Sequence, residues 1–254
     1  MKKLNNFIIN KWYSYLNKID KEEITFLNYG FANERTIVLN KEDEHNRYPI
    51  QLYNHITNAT NLEGLDILEV GCGRGGGVSY INKYLKPNSI IGIDLCEEAI
   101  EFCNKHYPEL SFTSGDATNL YFNENSFDVV VNIESSHNYE NMNKFLKEVK
   151  RVLKPQGYFL FADFRTGDIK SLKFSLSNCG LKIISEENIT SNVVKALQLD
   201  SKRRNDIIKR KFPKIFHKFA KEFAGVEGTN SYNSFLYGKR EYVYYVMQKK
   251  VENE

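Results

Sequence analysis

The chain has 254 residues, of which 41% are hydrophobic, 13% aromatic and 26% charged. These proportions exclude a collagen-like, disulfide-stapled or wholly disordered chain, and the length allows one large or two small domains with a sizeable core. The net charge of +3 is unevenly placed: nine Lys or Arg stand against Asp206 alone between Lys202 and Lys221, so that window carries +8 and the rest −5.

Cys72, Cys96, Cys103 and Cys179 form no C-x-x-C pair and read as reduced thiols. No apolar run approaches the ~20 residues of a membrane span, and no cleavage pattern follows Lys2 and Lys3, so a cytoplasmic protein is expected. Residues 1–64 are mostly helical in pattern, broken at Asn28-Tyr29-Gly30 and around Glu42–Asn46, and read as an N-terminal helical lid region. Residues 65–187 form the core. Asp66–Val70 reads as a strand ended by glycines, Val78–Leu85 as a helix, Ser89–Asp94 as a second strand and Glu97–His106 as a second helix. Leu110–Ser114 follows as a third strand, and Phe127–Asn132 as a fourth whose three valines imply burial on both faces. Met142–Leu153 is amphipathic, Lys154-Pro155-Gln156-Gly157 a turn and Tyr158–Asp163 a fifth strand. Residues 188–238 are a basic helical cap, and 239–254 hold a last strand and tail. This alternation predicts a single α/β domain, a doubly wound, mostly parallel sheet with helices on both faces and its ligand beyond the carboxyl ends of the strands.

Gly71, Gly73 and Gly76 satisfy G-x-G-x-x-G at the first strand–helix turn, with five glycines in the seven residues 71–77. Glycine there lets backbone approach a ligand; close helix packing is the plainer explanation. Asp94, ending the second strand, suits two ribose hydroxyls, or braces the following helix. To this point an NAD(P)-dependent reductase and a nucleoside-binding transferase are equally served. Two features separate them. Glu69, two residues before Gly71, sits poorly beside a pyrophosphate and well beside an ammonium and a sulfonium. Asp116, in Ser114-Gly115-Asp116-Ala117, is placed to accept from an adenine amino group, although a Gly-Asp pair is also an ordinary turn.

These segments, L-E-V-G-C-G-R-G, G-I-D-L, G-D-A, S-F-D-V-V-V-N and L-K-P-Q-G-Y-F, resemble the ordered motifs of class I S-adenosylmethionine-dependent methyltransferases. That resemblance implies a Rossmann-like seven-stranded sheet whose last strand, Glu241–Met247, is antiparallel. F-L-N-Y-G, H-N-R-Y-P-I-Q-L-Y, G-G-G-V-S-Y, N-I-E-S-S-H-N-Y, F-A-D-F-R and F-A-x-x-F-A-G-V-E-G-T are similar to the phthiotriol/phenolphthiotriol dimycocerosate methyltransferases and related lipid or polyketide O-methyltransferases. The likeness implies methylation of a hydroxyl on a long apolar molecule, with S-adenosyl-L-homocysteine as product. Transfer to carbon or nitrogen, or to a fatty-acid carboxyl, stays open. It implies cofactor contacts at Tyr29, Glu69, Gly71, Cys72, Gly73, Gly75, Asp94, Leu95, Asp116, Ala117 and Ile133, and acceptor contacts at Asn46, Arg47, Ser135, Tyr139 and Phe216.

An alcohol acceptor needs a base in the transition state, a carboxylate does not. His137, after the fourth strand, is the candidate base, and Glu134 either orients it or meets the cofactor; Ser136 reads as a helix N-cap, and Arg165 as a partner of Asp163. His55, His106 and His217 have structural readings, His45 lies in the H-N-R-Y stretch where the resemblance implies a lid or acceptor-site role for Asn46 and Arg47, and no His/Cys/Asp/Glu spacing suggests a metal. Ile208, Phe212, Ile215, Phe216, Phe219 and Phe223 recur at helical spacing among the lysines of 202–221. They predict a cap helix, aromatic toward the site and solvated on its basic side, suited to an anionic membrane surface or an acidic acyl carrier. No nucleic-acid module is recognised, and the oligomeric state is not legible.

Overall fold

Strands Asp66–Val70 (β1), Ser89–Asp94 (β2), Ser111–Ser114 (β3), Phe127–Ile133 (β4) and Leu153–Thr166 (β5) pair in parallel in the computed structural model, which describes residues 24–35, 37–167 and 169–251. Arg240–Gln248 (β7) lies antiparallel between β5 and Lys182–Asn188 (β6), giving the order β3-β2-β1-β4-β5-β7-β6. The order reverses between β1 and β4, and a crevice opens there beyond their carboxyl ends. Val129, Val130 and Val131 are fully enclosed, as three successive valines in a doubly covered strand require.

The helices are Arg47–Thr57 (α1), Gly76–Leu85 (α2), Glu97–His106 (α3), Met142–Val152 (α4), Ile169–Ser177 (α5), Thr190–Lys211 (α6), His217–Phe223 (α7) and Asn230–Leu236 (α8). Leu52, Ile56, Val78, Ile81, Ile100, Val193 and Leu197 join one face of the sheet into a core. Phe145, Leu146 and Val149 of α4 and Leu172 and Leu176 of α5 cover the other.

The structure departs from the sequence expectations in five places. The first 23 residues of the expected helical lid lie outside the described residues; among its described residues those before Glu44 are irregular and only Glu44–Thr57 is helical. Lys154–Gly157 is not a turn before the strand but a distortion inside it: Gln156 has φ +65°, and the register slips between Phe127 and Val129. α5 and β6 were not anticipated. Ser136 does not cap a helix, because α4 starts at Asn141, whose side chain accepts from the Lys144 amide. The basic segment is two helices rather than one, since Pro213 breaks it after Phe212.

Candidate active site

The crevice at the strand-order reversal is a cleft of about 1040 Å³. Val70 to Arg74 lie along its floor, Asp94 to Ala99 and Gly115 to Thr118 at one end, and Ile133 to Ser135 with His137 to Glu140 toward the other; Tyr29, Phe164 and Phe223 also line it.

The glycine loop is mostly a packing device. A Cβ on Gly71 would lie 1.9 Å from Ser135 Oγ, and the residue has φ +77°. A Cβ on Gly75 would press on Phe112 and Cys103 at 2.9–3.0 Å, and Gly75 is not among the cleft-lining residues, so close packing accounts for this glycine. Gly73 is the exception: nothing lies closer to its Cβ position than Leu27 at 3.8 Å, so it presents open backbone to the cleft. Its amide is held by Asp94 Oδ2 at 2.9 Å, while Asp94 Oδ1 accepts from the Cys96 amide at 2.9 Å. Asp94 therefore ties β2 to the loop, and α3 receives no side-chain cap from Cys96. Burial pushes the Asp94 carboxyl up, against the pull of these amides. Asp116 accepts from Thr118 N and Oγ1 through Oδ1 alone, leaving Oδ2 without a partner among the described residues.

Glu69 is fully enclosed, beneath the cleft surface rather than on it. Its Oε1 accepts from Tyr53 Oη at 2.6 Å, its Oε2 is unpartnered among the described residues, and burial pushes the carboxyl up to about 8. It reaches the cleft through Tyr53, which does line it. Cys72, Leu95, Ala117, Ile133, Ser135 and Tyr139 are all at the cleft as well. Tyr139 Oη meets Ser135 Oγ at 2.9 Å and accepts from Asn132 Nδ2 at 3.0 Å.

His137 is oriented by Asp163, not by Glu134. Its Nδ1 is 2.8 Å from Asp163 Oδ1, and its amide donates to Oδ2 at 2.8 Å. Ser136 Oγ donates to Asp163 Oδ2 at 2.6 Å, the Phe164 amide to Oδ1 at 2.8 Å, and Arg165 pairs with the same carboxylate at 3.1 Å. Burial alone would push the Asp163 carboxyl up, but the charges of His137 and Arg165 and these hydrogen bonds hold it well below the usual range. A carboxylate so held accepts from His137 Nδ1; in the ring's neutral form that leaves Nε2, 3.1 Å from Asn138 Nδ2, as the acceptor.

Glu134, in the left-handed region at φ +48°, accepts the Tyr29 amide at 2.7 Å. Burial pushes its carboxyl up to about 8, against the pull of that amide. The Tyr29 ring packs against Phe164 and Phe235, and its hydroxyl is approached by Arg240 Nη1 at 3.5 Å. From the other side, the buried Arg204 of α6 donates to Tyr29 O at 3.0 Å, Asn28 O at 3.2 Å and Ala224 O at 2.8 Å. Its Nε pairs with Asp200 at 2.9 Å, as does that of Arg203 at 2.6 Å, so two cations of the basic segment serve the interior.

Three expected acceptor contacts fall elsewhere. Arg47 pairs with Glu44 and donates to Ile37 O, away from the cleft, because its neighbours supply all its acceptors. Asn46 is buried beside a smaller cavity, and half-exposed Phe216 lies outside both cavities, its place at the cleft taken by Phe223 of the shifted helix. Of the other histidines, His55 stacks on Phe31 and bonds Glu187 at 3.1 Å, and His217 meets Phe212 O. Sequence reasoning missed Tyr53, Phe164 and Arg204, and assigned Asp163 only to Arg165; the A-D-F-R strand end was the available signal. Among the described residues no three His, Cys, Asp or Glu groups could hold a metal ion, and no helix is long and apolar enough to cross a membrane.

A switch-point cleft with an open glycine backbone, an acid ending β2, another just beyond β3 and an enclosed carboxylate under its floor fits an S-adenosylmethionine-dependent methyltransferase with a Rossmann-like core, and the similarity to known proteins establishes that class. Residues 68–161 match the family model described as a methyltransferase domain. The chain is 36% identical to the phthiotriol/phenolphthiotriol dimycocerosates methyltransferase of Mycobacterium tuberculosis, over 94% of this chain and 90% of that one. It is 34% identical to the fatty-acid O-methyltransferase of Mycolicibacterium smegmatis, over 92% and 87%. The chain belongs to the methyltransferase family of these relatives. Its fold is shared by geranyl diphosphate C-methyltransferase from Streptomyces coelicolor, solved with S-adenosyl-L-homocysteine, at TM-score 0.70 and 14% identity over 93% of this chain and 96% of that one.

Proposed function

We propose that the protein methylates a hydroxyl group on a hydrophobic, lipid- or polyketide-like acceptor, and that His137 takes the hydroxyl proton. Bound S-adenosylmethionine supplies a methyl group already activated on a sulfonium. The open backbone of Gly73, with Gly71 and Cys72, would carry its methionine portion, Asp94 its ribose hydroxyls, Asp116 Oδ2 its adenine amino group, and Leu95, Ala117 and Ile133 the apolar surround. The enclosed, half-partnered Glu69 suits a cation above the floor, because an opposite charge would offset its desolvation.

The observation that carries the reading is the His137–Asp163 pair. Asp163 is a positioning residue: it fixes the Nδ1 proton and would stabilise the imidazolium formed when Nε2 takes a proton from the acceptor, with Asn138 yielding its place on Nε2. A base held this way has no use for an acceptor that is already a carboxylate, which favours a hydroxyl. Tyr29, Phe164 and Phe223 offer the apolar surround such an acceptor needs, and the names of the two relatives support a lipid-like acceptor. His137→Ala should lower turnover at least ~100-fold with S-adenosylhomocysteine affinity unchanged in calorimetry; unchanged turnover removes His137 from the chemistry.

We also infer that the cap meets an anionic surface. Lys209, Lys214, Lys218 and Lys221 have no ion pair among the described residues, and Ile215 between them is 83% exposed. Anionic membrane lipid suits a combined apolar and basic tip, an acidic acyl carrier being the alternative partner. Co-sedimentation with phosphatidylglycerol vesicles but not phosphatidylcholine vesicles, lost at high salt, is expected; no sedimentation with either contradicts it.

A further inference from the structure

A second, smaller cavity of about 70 Å³ lies between residues 24–28, the start of α1, and α6 and α7. It belongs to neither of the two large cores. Ile208, Phe212, Ala220 and Val226 form a separate apolar cluster under the cap, and the cavity sits against it. Phe26, Leu27, Asn28 and Phe223 line both this cavity and the main cleft, so one layer of residues separates them.

That partition adjoins the reacting end of the cleft. The His137 ring is 4.4 Å from Phe164, Phe164 is 5.4 Å from Tyr29, and the Gly225 Cβ position is 3.1 Å from the Tyr29 ring. Both sides of the partition are fixed to α6 by a single side chain, since Arg204 holds Asn28 O, Tyr29 O and Ala224 O together. Arg203, Arg204, Asn28 and Asn46 also border the cavity, but their polar groups are engaged with Asp200, with backbone carbonyls and amides and with one another, and the rest of the lining is apolar. A mostly apolar recess beside a ligand cleft offers a seat for an apolar group. A volume equal to roughly two or three water-sized groups admits the end of a chain and excludes a ring system.

From this the structure assigns the cavity as the seat for the aliphatic chain end of the acceptor, reached past Leu27 and Phe223 while the chain's polar end lies at His137. The assignment rests on the hydrophobic-acceptor reading above and adds chain selection to it: the partition and the α6–α7 wall select acceptors by length.

The test uses a saturated long-chain alcohol ending in a diazirine, irradiated with the full protein saturated with S-adenosylhomocysteine and mapped by peptide mass. Label is expected on the peptides holding residues 24–28 and 207–224, with about tenfold less on Ala220→Leu, which fills the cavity, and S-adenosylhomocysteine affinity unchanged. If Ala220→Leu loses that affinity, Ile207→Phe, at a half-buried position on the same wall, takes its place with the same expected loss. Label confined to other peptides, or label indifferent to both fillings, overturns the assignment. Methyl transfer to the same alcohol, read separately by product mass, tests the hydroxyl reading, so either can fail alone.

Discussion

The two walls of the cleft are held by bonds of very different reach along the chain. On the β1–β2 side, Asp94 holds the Gly73 amide 21 positions away and the Cys96 amide only two away. On the cap side, Glu134 holds Tyr29 across 105 positions, and Arg204 holds Tyr29 and Asn28 across 175 and 176. The first wall is a local turn that glycine and one carboxylate specify almost alone. The second exists only when three distant segments have converged, and it surrounds the region where acceptors must be told apart. Binding of a shared cofactor and choice of acceptor are thus separable, and substitutions on the two walls should fail differently.

The sharpest break is expected on the local wall. Gly71→Ala puts a methyl group 1.9 Å from Ser135 Oγ at a left-handed φ, combining overpacking with backbone strain. It should lower S-adenosylhomocysteine affinity ~100-fold or more by calorimetry. Next, Arg204→Met removes three backbone contacts and leaves Asp200 half-paired. It should cost about 3 kcal/mol in denaturant unfolding, with acceptor turnover reduced more than S-adenosylhomocysteine affinity. The reverse order of effects in these two variants would dissolve the distinction between the walls.

A smaller effect concerns pH. Burial lifts Glu69 and Glu134 to about 8, so the folded state keeps protons that the unfolded chain has released. Stability from these two groups is full below the unfolded carboxyl range near ~4.3 and declines as pH rises to about 8. Asp163, held low, acts oppositely and contributes until pH falls through its depressed range. Glu69→Gln should therefore flatten the fall in melting temperature between mildly acidic and mildly alkaline pH in the ligand-free protein. The smallest effect is expected for Phe216→Ala, half-exposed and outside both cavities: within about 0.5 kcal/mol, and no change in turnover.

The same contrast explains what could be read from the chain. β1, β2 and α3 match their expected boundaries because apolar runs, glycines and acidic first turns are local signals, and the last strand shows in its aromatic and valine run, its antiparallel sense being what the family resemblance implies. β6 left no such trace: it is an edge strand, exposed along nearly its whole length, paired only with β7. At the site, His137, Asp94, Asp116 and the glycine loop are legible because each follows a strand end. At Gly75 the chain draws no distinction, because a glycine that yields to Phe112 looks, in sequence, like one that yields to a ligand. Arg204 was hidden among lysines, since nothing local tells a buried arginine from a solvated one. Phe216 and Phe223 lie seven residues apart on the same side of Pro213, and only the short 3-10 turn Lys214–Phe216, which sets Phe216 outside α7, shows which of them turns inward.

The most direct test compares methyl transfer to a long-chain alcohol and to the fatty acid of the same length, in the wild-type protein and in His137→Ala. The account predicts that the variant loses alcohol methylation ~100-fold or more and, where the acid is accepted, keeps its rate within a few-fold, because a carboxylate arrives without a proton to remove. Equal losses on the two acceptors, or none on the alcohol, would contradict a base at the end of β4.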